Sequence, residues 1–236
     1  MTPCQRHRAK IRTQEALERR EAMTAPPVSF HLLHAELERD VARLRSLPVR
    51  AERQEFKRDT LLPRWLPVAE RYIADGRRFS CPVLVYCIIW LFDTGKLGRA
   101  LDWADIAISE GQSTPDNFRS TLPTFVADTV LQWATDNSEA GHSIEPYFSR
   151  TFENVTTKWR LHEEIRAKWF RLAGLNLLRD RDGKPKATAV NDIAVLEKAD
   201  DYLAQAAALS RTAGVKSIRA RIRARIRARI SALNAA

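Results

Sequence analysis

The stretch Phe30-His-Leu-Leu-His-Ala-Glu-Leu-Glu-Arg-Asp-Val-Ala-Arg-Leu-Arg-Ser46 decides the fold class. Its apolar residues fall at Phe30, Leu33, Leu37, Val41 and Leu44, and Leu47 continues the series. Steps of three and four place them on one helical face, whereas a half-buried strand would alternate. Pro26 and Pro27 precede the stretch, Ser29 is a suitable N-cap, and Pro48 follows it. Glu36/Arg39 and Asp40/Arg43 lie three apart on the polar side, each pair worth a few tenths of a kcal/mol.

The same punctuation continues down the chain. A charged helix is predicted over 50–60. Pro63 suits the first turn of a separate helix that Gly76 stops. Pro82 opens an apolar helix over 82–92, Asp93-Thr94-Gly95-Lys96 reads as a tight turn, and a helix over 97–110 ends at Gly111. Pro123 opens another to about 137, residues 138–144 form a polar loop, and a shorter helix is predicted over 144–159. Leu161, Ile165, Trp169 and Leu172 mark one face of a further helix. Asp180-Arg181-Asp182-Gly183-Lys184-Pro185 breaks it, and Ile193, Leu196, Ala199, Leu203 and Ala206 mark the return. Small residues at Ala199, Ala204, Ala206, Ala207 and Ala208 suit close packing in a tetratricopeptide-style hairpin, with no second copy to make a repeat array.

With only eight glycines in 236 residues, the predicted fold is all-α, a helical body with αα-hairpins and basic terminal arms. The expected regions are a basic arm over 1–28, a central helical and oligomerisation region over 29–136, a hairpin region over 137–210 and an Arg-rich helix or tail over 211–236. The apolar stripe of 30–47 and the hairpin are the expected self-association surfaces.

Charge is unevenly distributed. The formal total is +10, and 30 of the 39 basic residues are arginine. Residues 1–22 carry +3 and residues 211–236 carry +8 with no acidic residue, so the body between them is −1. A hydrophobic content of 44% excludes a wholly disordered chain. Three cysteines without a Cys-x-x-Cys pair exclude a disulfide scaffold. The first residues lack an apolar signal core, so the expected location is a reducing cytoplasm. The longest uncharged run, 79–92, is shorter than the roughly 20 residues of a membrane-spanning helix, and no membrane association is expected.

Local catalytic signatures are missing from the sequence. Gly95-Lys96-Leu97-Gly98 lacks the earlier glycine and the following Ser or Thr of a phosphate loop, and reads as an inter-helix turn. His31 and His34, and His162-Glu163-Glu164, do not form a zinc pattern. Asp180-x-Asp182-Gly183 fails the calcium-loop spacing, because its first and twelfth positions would be Leu178 and Ala189. The pairs Glu163/Glu164 and Asp200/Asp201 read as solvated helix faces, and Cys81 and Cys87 as core. No Gly-x-Ser-x-Gly elbow is present. No catalytic residue, metal ligand or cofactor is therefore predicted.

The basic ends are the strongest signal. The first is Arg6, Arg8, Lys10 and Arg12. The second is Lys216 followed by Arg219, Arg221, Arg223, Arg225, Arg227 and Arg229 within Ser217-Ile-Arg-Ala-Arg-Ile-Arg-Ala-Arg-Ile-Arg-Ala-Arg-Ile230. Arg at every odd position fits a strand, yet Ile218, Ile222, Ile226 and Ile230 also form an i, i+4 helical row that drifts about 40° per step. Ala and Arg are strong helix formers, which favours helix. Such ends neutralise backbone phosphates and release counterions; an amphipathic arm for a membrane or partner helix uses the same residues. Six tail arginines on phosphates would give a log-log salt slope of about −5.

The order of several pieces resembles the small terminase subunits of temperate cohesive-end phages, the gene-M product family. The pieces are Gln5-Arg6-His7, Leu61-Leu62-Pro63-Arg64-Trp65-Leu66-Pro67, Trp90-Leu91-Phe92-Asp93-Thr94-Gly95 running into Ala100-Leu101 and Gly111, and Ala213-Gly214-Val215-Lys216. They span most of residues 5–220. The resemblance implies a ring-forming homo-oligomer that binds double-stranded phage DNA at the packaging site and hands it to a large ATPase-nuclease subunit during virion assembly. The family is often labelled the endonuclease subunit, so intrinsic cleavage with Mg2+ is an alternative. A helical scaffold whose tail docks an acidic protein is a second alternative. The family tail is more often Lys/Pro-rich than a compact Arg-Ile-Arg-Ala repeat.

Overall fold

In the computed structural model, residues 30–76, 79–180 and 182–234 are described. They form two compact units that divide between Arg119 and Ser120. The division falls in the 110–121 connection, so the helix opened by Pro123 goes with the second unit.

The first unit is built from helices α1 (Phe30–Ser46), α2 (Arg50–Phe56), α3 (Leu62–Asp75), α4 (Pro82–Asp93) and α5 (Leu97–Ser109). Pro63 stands in the first turn of α3 and Gly76 ends that helix, as predicted, but α3 is not separate from the charged helix before it. A π-helical turn, Lys57–Leu61, joins α2 to α3 without a break. Its wider ring accommodates a proline that has no N–H to donate and whose own ring would crowd an α turn.

α4 is the hub of this unit and packs against α1, α3 and α5. Nine of its twelve residues are buried, as an apolar run without a polar face requires. Leu37, Val41 and Leu44 of α1 are buried within the same unit. This stripe, expected to be a self-association surface, therefore belongs to the chain's own core. The Asp93–Lys96 turn is as predicted. Gly95 sits at φ +76°, and Lys96 N–H returns to the Leu91 carbonyl at 2.8 Å.

The second unit holds α6 (Leu122–Glu139), α7 (Tyr147–Glu153), α8 (Glu163–Asn176), α9 (Ile193–Leu209) and α10 (Lys216–Asn234). The short helix predicted over 144–159 is α7 followed by a π turn, Asn154–Lys158. Stacked rings of Phe148, Phe152 and Trp169, with Phe170 and Tyr202 at their edges, join α7, α8 and α9. α8 and α9 form the predicted hairpin. They approach closely at Gly174, where a Cβ would lie 2.6 Å from Leu203 and 2.9 Å from the Ala199 carbonyl. Asp180 organises the bend by accepting the N–H groups of Asp182 and Lys184, and it pairs with Lys186 at 2.6 Å. Lys186 and those N–H groups hold the Asp180 carboxyl below its usual range. The helical expectation for the fold class holds throughout the described residues.

Candidate nucleic-acid interface

The 217–230 repeat is helical and lies within α10. On a helix the alternating arginines separate into two rows, 219/223/227 and 221/225/229, flanking the isoleucine row. Val215 and Ile222 are buried with Leu196, Ala199 and Leu203 of α9, and Ile218 and Ile226 are packed beside them. The apolar row then drifts, leaving Ile230 exposed, and Leu233 near the end of the helix is exposed as well.

Docking consumes part of the charge. Arg219 donates from Nε and Nη2 to the carboxylate oxygens of Asp200, at 2.7 and 3.1 Å. Arg223 donates to the same carboxylate at 3.3 Å while remaining exposed. The hydrogen bond from Arg219 holds the Asp200 carboxyl below its ordinary range, and Arg223 adds to the effect. On the other flank, Arg225 donates to the Val190 carbonyl at 3.2 Å and to Asn191 Oδ1 at 2.8 Å. Arg229 donates to the Asn191 carbonyl at 3.2 Å.

The tail residues singled out from sequence thus fall into two sets. Arg219, Arg225 and Arg229 are retainers that fasten α10 to α9 and to the segment before it. Lys216, Arg221 and Arg227 are exposed, and among the described residues none supplies them a hydrogen-bond or ion-pair partner. Arg223 is shared between Asp200 and solvent. Arg6, Arg8, Lys10 and Arg12 lie outside the described residues.

Asp200 is where the sequence reading needs correction. Adjacent to Asp201 it reads as part of a solvated face, but its side chain is only 17% exposed and sits between two guanidiniums. Nothing local signals this, because its partners lie 19 and 23 residues away. Asp201 is exposed, as read.

The motif pieces in the first unit turn out to be ties between helices. Trp65 Nε1 donates to Asp40 at 2.9 Å, and Arg64 pairs with Glu36 at 2.6 Å and with Asp40 at 3.1 Å, fastening α3 to α1. Lys57 pairs with Asp93 at 2.7 Å, and Thr94 Oγ1 donates to the Trp90 carbonyl at 2.8 Å. Tyr72, Gln112 and the Phe79 carbonyl share hydrogen bonds of 2.8 Å that anchor the segment before α4. Cys81 and Cys87 are buried, and burial pushes the Cys81 thiol up to about 11. A cleft of about 540 Å³ between α1 and the 113–117 segment is lined by Leu37, Val41 and Tyr86, with His34 and Glu38 paired at 3.5 Å on its rim. Among the described residues, no three His, Cys, Asp or Glu side chains converge as a metal-binding group, and no helix is long and apolar enough to cross a membrane.

Comparison with known proteins bears on this geometry. The family model for the phage small terminase subunit matches residues 34–164. The chain is 40% identical over 204 residues to the probable terminase, endonuclease subunit of Haemophilus phage HP1, covering 86% of this chain and 73% of that protein. It is 26% identical over 215 residues to the terminase, endonuclease subunit of Escherichia phage P2, covering 91% and 81%. No solved structure matches.

Proposed function

The chain belongs to the phage small terminase subunit family, and from that premise we propose that it binds double-stranded phage DNA at the cohesive-end packaging site. It works as a homo-oligomer, in a ring, in the host cytoplasm, and presents the DNA to a large subunit with ATPase and nuclease centres. Lys216, Arg221, Arg223 and Arg227 on α10, together with Arg6, Arg8, Lys10 and Arg12, contact phosphates. Repetition around the oligomer multiplies these weak contacts. No cofactor is needed for this role.

The observation that carries the reading is the concentration of charge in the last 26 residues, +8 without an acidic residue, on a chain of this family. Mass measurement of the purified protein with and without cohesive-end duplex tests assembly and DNA binding together. Affinity titrated against salt tests the contact. The affinity should fall steeply with salt, and removing residues 216–236 should flatten that dependence. An unchanged slope would sink the tail's role.

The relatives' names favour a second reading, in which the subunit itself cleaves DNA. Nicking of cohesive-end duplex by the purified protein with Mg2+, and no large subunit present, would select it.

A further inference from the structure

Resting on the DNA-binding reading above, we propose that α10 carries one sequence-independent face for the duplex backbone. It consists of Lys216, Arg221, Arg223 and Arg227, while Arg219, Arg225 and Arg229 are retainers that do not reach DNA. The division follows the hydrogen bonds. The retainers hold Asp200, Val190 and Asn191 at 2.7 to 3.2 Å, so a phosphate would have to displace partners already in place. Among the described residues Lys216, Arg221 and Arg227 have no partner to displace. Arg223 competes with Arg219 for a single carboxylate and stays exposed, so it can turn to a phosphate while Arg219 keeps the helix in place.

The outward side of α10 explains why this face does not read sequence. Between the two edges of cations lie Ser217, Ala220, Ala224, Ala228 and Ser231, all exposed. The alanines have no hydrogen-bonding group, and no Asn, Gln or Arg occupies that ridge to make the bidentate base contacts that discriminate sequence. Cations at the edges of an alanine ridge fix position on a phosphate backbone and carry no base code. The occupant is committed by charge: residues 211–236 contain no carboxylate, and a regularly spaced polyanion is their complement.

Two triple variants with the same charge change test the division in the full-length protein. Lys216→Gln/Arg221→Gln/Arg227→Gln removes the proposed phosphate contacts, and Arg219→Gln/Arg225→Gln/Arg229→Gln removes the retainers. Binding is titrated against salt on cohesive-end duplex and on a random duplex of equal length. The first triple should flatten the slope by about 2.7, because each phosphate contact contributes about 0.9. It should weaken both duplexes by the same factor and leave the melting temperature unchanged. The second should lower the melting temperature and change the slope by less than half as much. Because the second triple can loosen the helix, the singles Arg227→Gln and Arg229→Gln repeat the comparison with little disturbance; only the first should flatten the slope, by about 0.9.

Equal flattening by both triples and by both singles would overturn the proposal, since net charge alone would then explain the binding. Unequal weakening on the two duplexes would overturn its sequence independence. Tighter binding to poly-glutamate than to duplex at equal charge concentration would overturn it in favour of an acidic protein. If wild-type protein shows no salt-dependent duplex binding at all, the broader DNA-binding reading fails; if it does and the triples do not differ, only this division fails.

Discussion

Helices α4 and α10 are held by opposite means. Nine of the twelve residues of α4 are buried, and it is enclosed by three other helices. One of the nineteen residues of α10 is buried, and its position depends on a short apolar row flanked by guanidinium hydrogen bonds. A helix held by burial on every side tolerates little change. A helix held along one edge by charge can keep most of its surface for a ligand and can be loosened without unfolding the rest of its unit.

The largest effect that would separate the two helices comes from Trp90→Ala. Trp90, in the last turn of α4, is 1% exposed, and truncating a fully buried tryptophan costs about 3–5 kcal/mol. Loss of the whole unit's cooperative melting, read by calorimetry, is the expected outcome; a local change alone would contradict the hub role. Ile222→Ala is the matching test in α10. It removes the only fully buried side chain of that helix and costs about 2 kcal/mol, the low end for such truncations because the site can collapse from its open side. Hydrogen exchange should show lost protection across 216–226, with α8 and α9 still protected. Global unfolding of the second unit would erase the distinction between the helices.

How much of each helix can be read from sequence follows the same divide. α4 is legible because the fourteen uncharged residues 79–92, with Pro82 near their start and Gly95 just beyond, admit little but a buried helix. α10 is legible in sign and only half legible in shape, since its period of two and its i, i+4 row coexist in the same letters. The helical faces of α1, α8 and α9 also come directly from spacing. The continuity of α2 into α3 does not, because Pro63 is a reliable stop unless a π turn absorbs it, and no local residue announces that turn. The pairing of Asp200 is invisible for a different reason. It joins residues 19 and 23 positions apart across a turn at Gly214 (φ +68°), and a local charge pattern reports only neighbours on the same helix.

Asp200→Asn sharpens the comparison at a smaller magnitude. Asp200 and Arg219 are both mostly shielded, with side chains 17% and 21% exposed, so loss of the charge-assisted pair should destabilise the docked helix by about 1 kcal/mol, below the 1.5–3 of a fully buried case. Asp201→Asn makes the same formal change on an exposed neighbour and should leave docking unaltered. Acid provides the same test without mutation. Asp200 is lowered in the folded state, mainly by its hydrogen bond from Arg219. Its contribution is therefore complete above the unfolded carboxyl's value of about 3.9 and is lost as pH falls through the lower folded value. Amide exchange in α10 should accelerate in that acid window in the wild type, and the Asp200→Asn protein should lack that component. Equal acid responses in the two proteins would remove Asp200 from the docking energetics.

The smallest expected effect belongs to the most apolar residue of α10 beyond its docked part. Leu233→Ser would be disruptive if the isoleucine row continued as a buried stripe to the end of the helix. At 100° per residue Ile230 has turned about 80° from the buried Ile222, whereas Leu233 returns to within about 20° of it, so the burial ends along the length of the helix and not by rotation alone. By Ile230 the side chain is 44% exposed, and Leu233 is 62% exposed. A side chain already in water forfeits little on truncation, so the change should stay within about 0.5 kcal/mol. The melting temperature and the exchange protection of 216–226 should match the wild type. A clear loss at Leu233 would mean that the far end of α10 is covered in the protein's working state, and the contrast with α4 would then hold only for its first three turns.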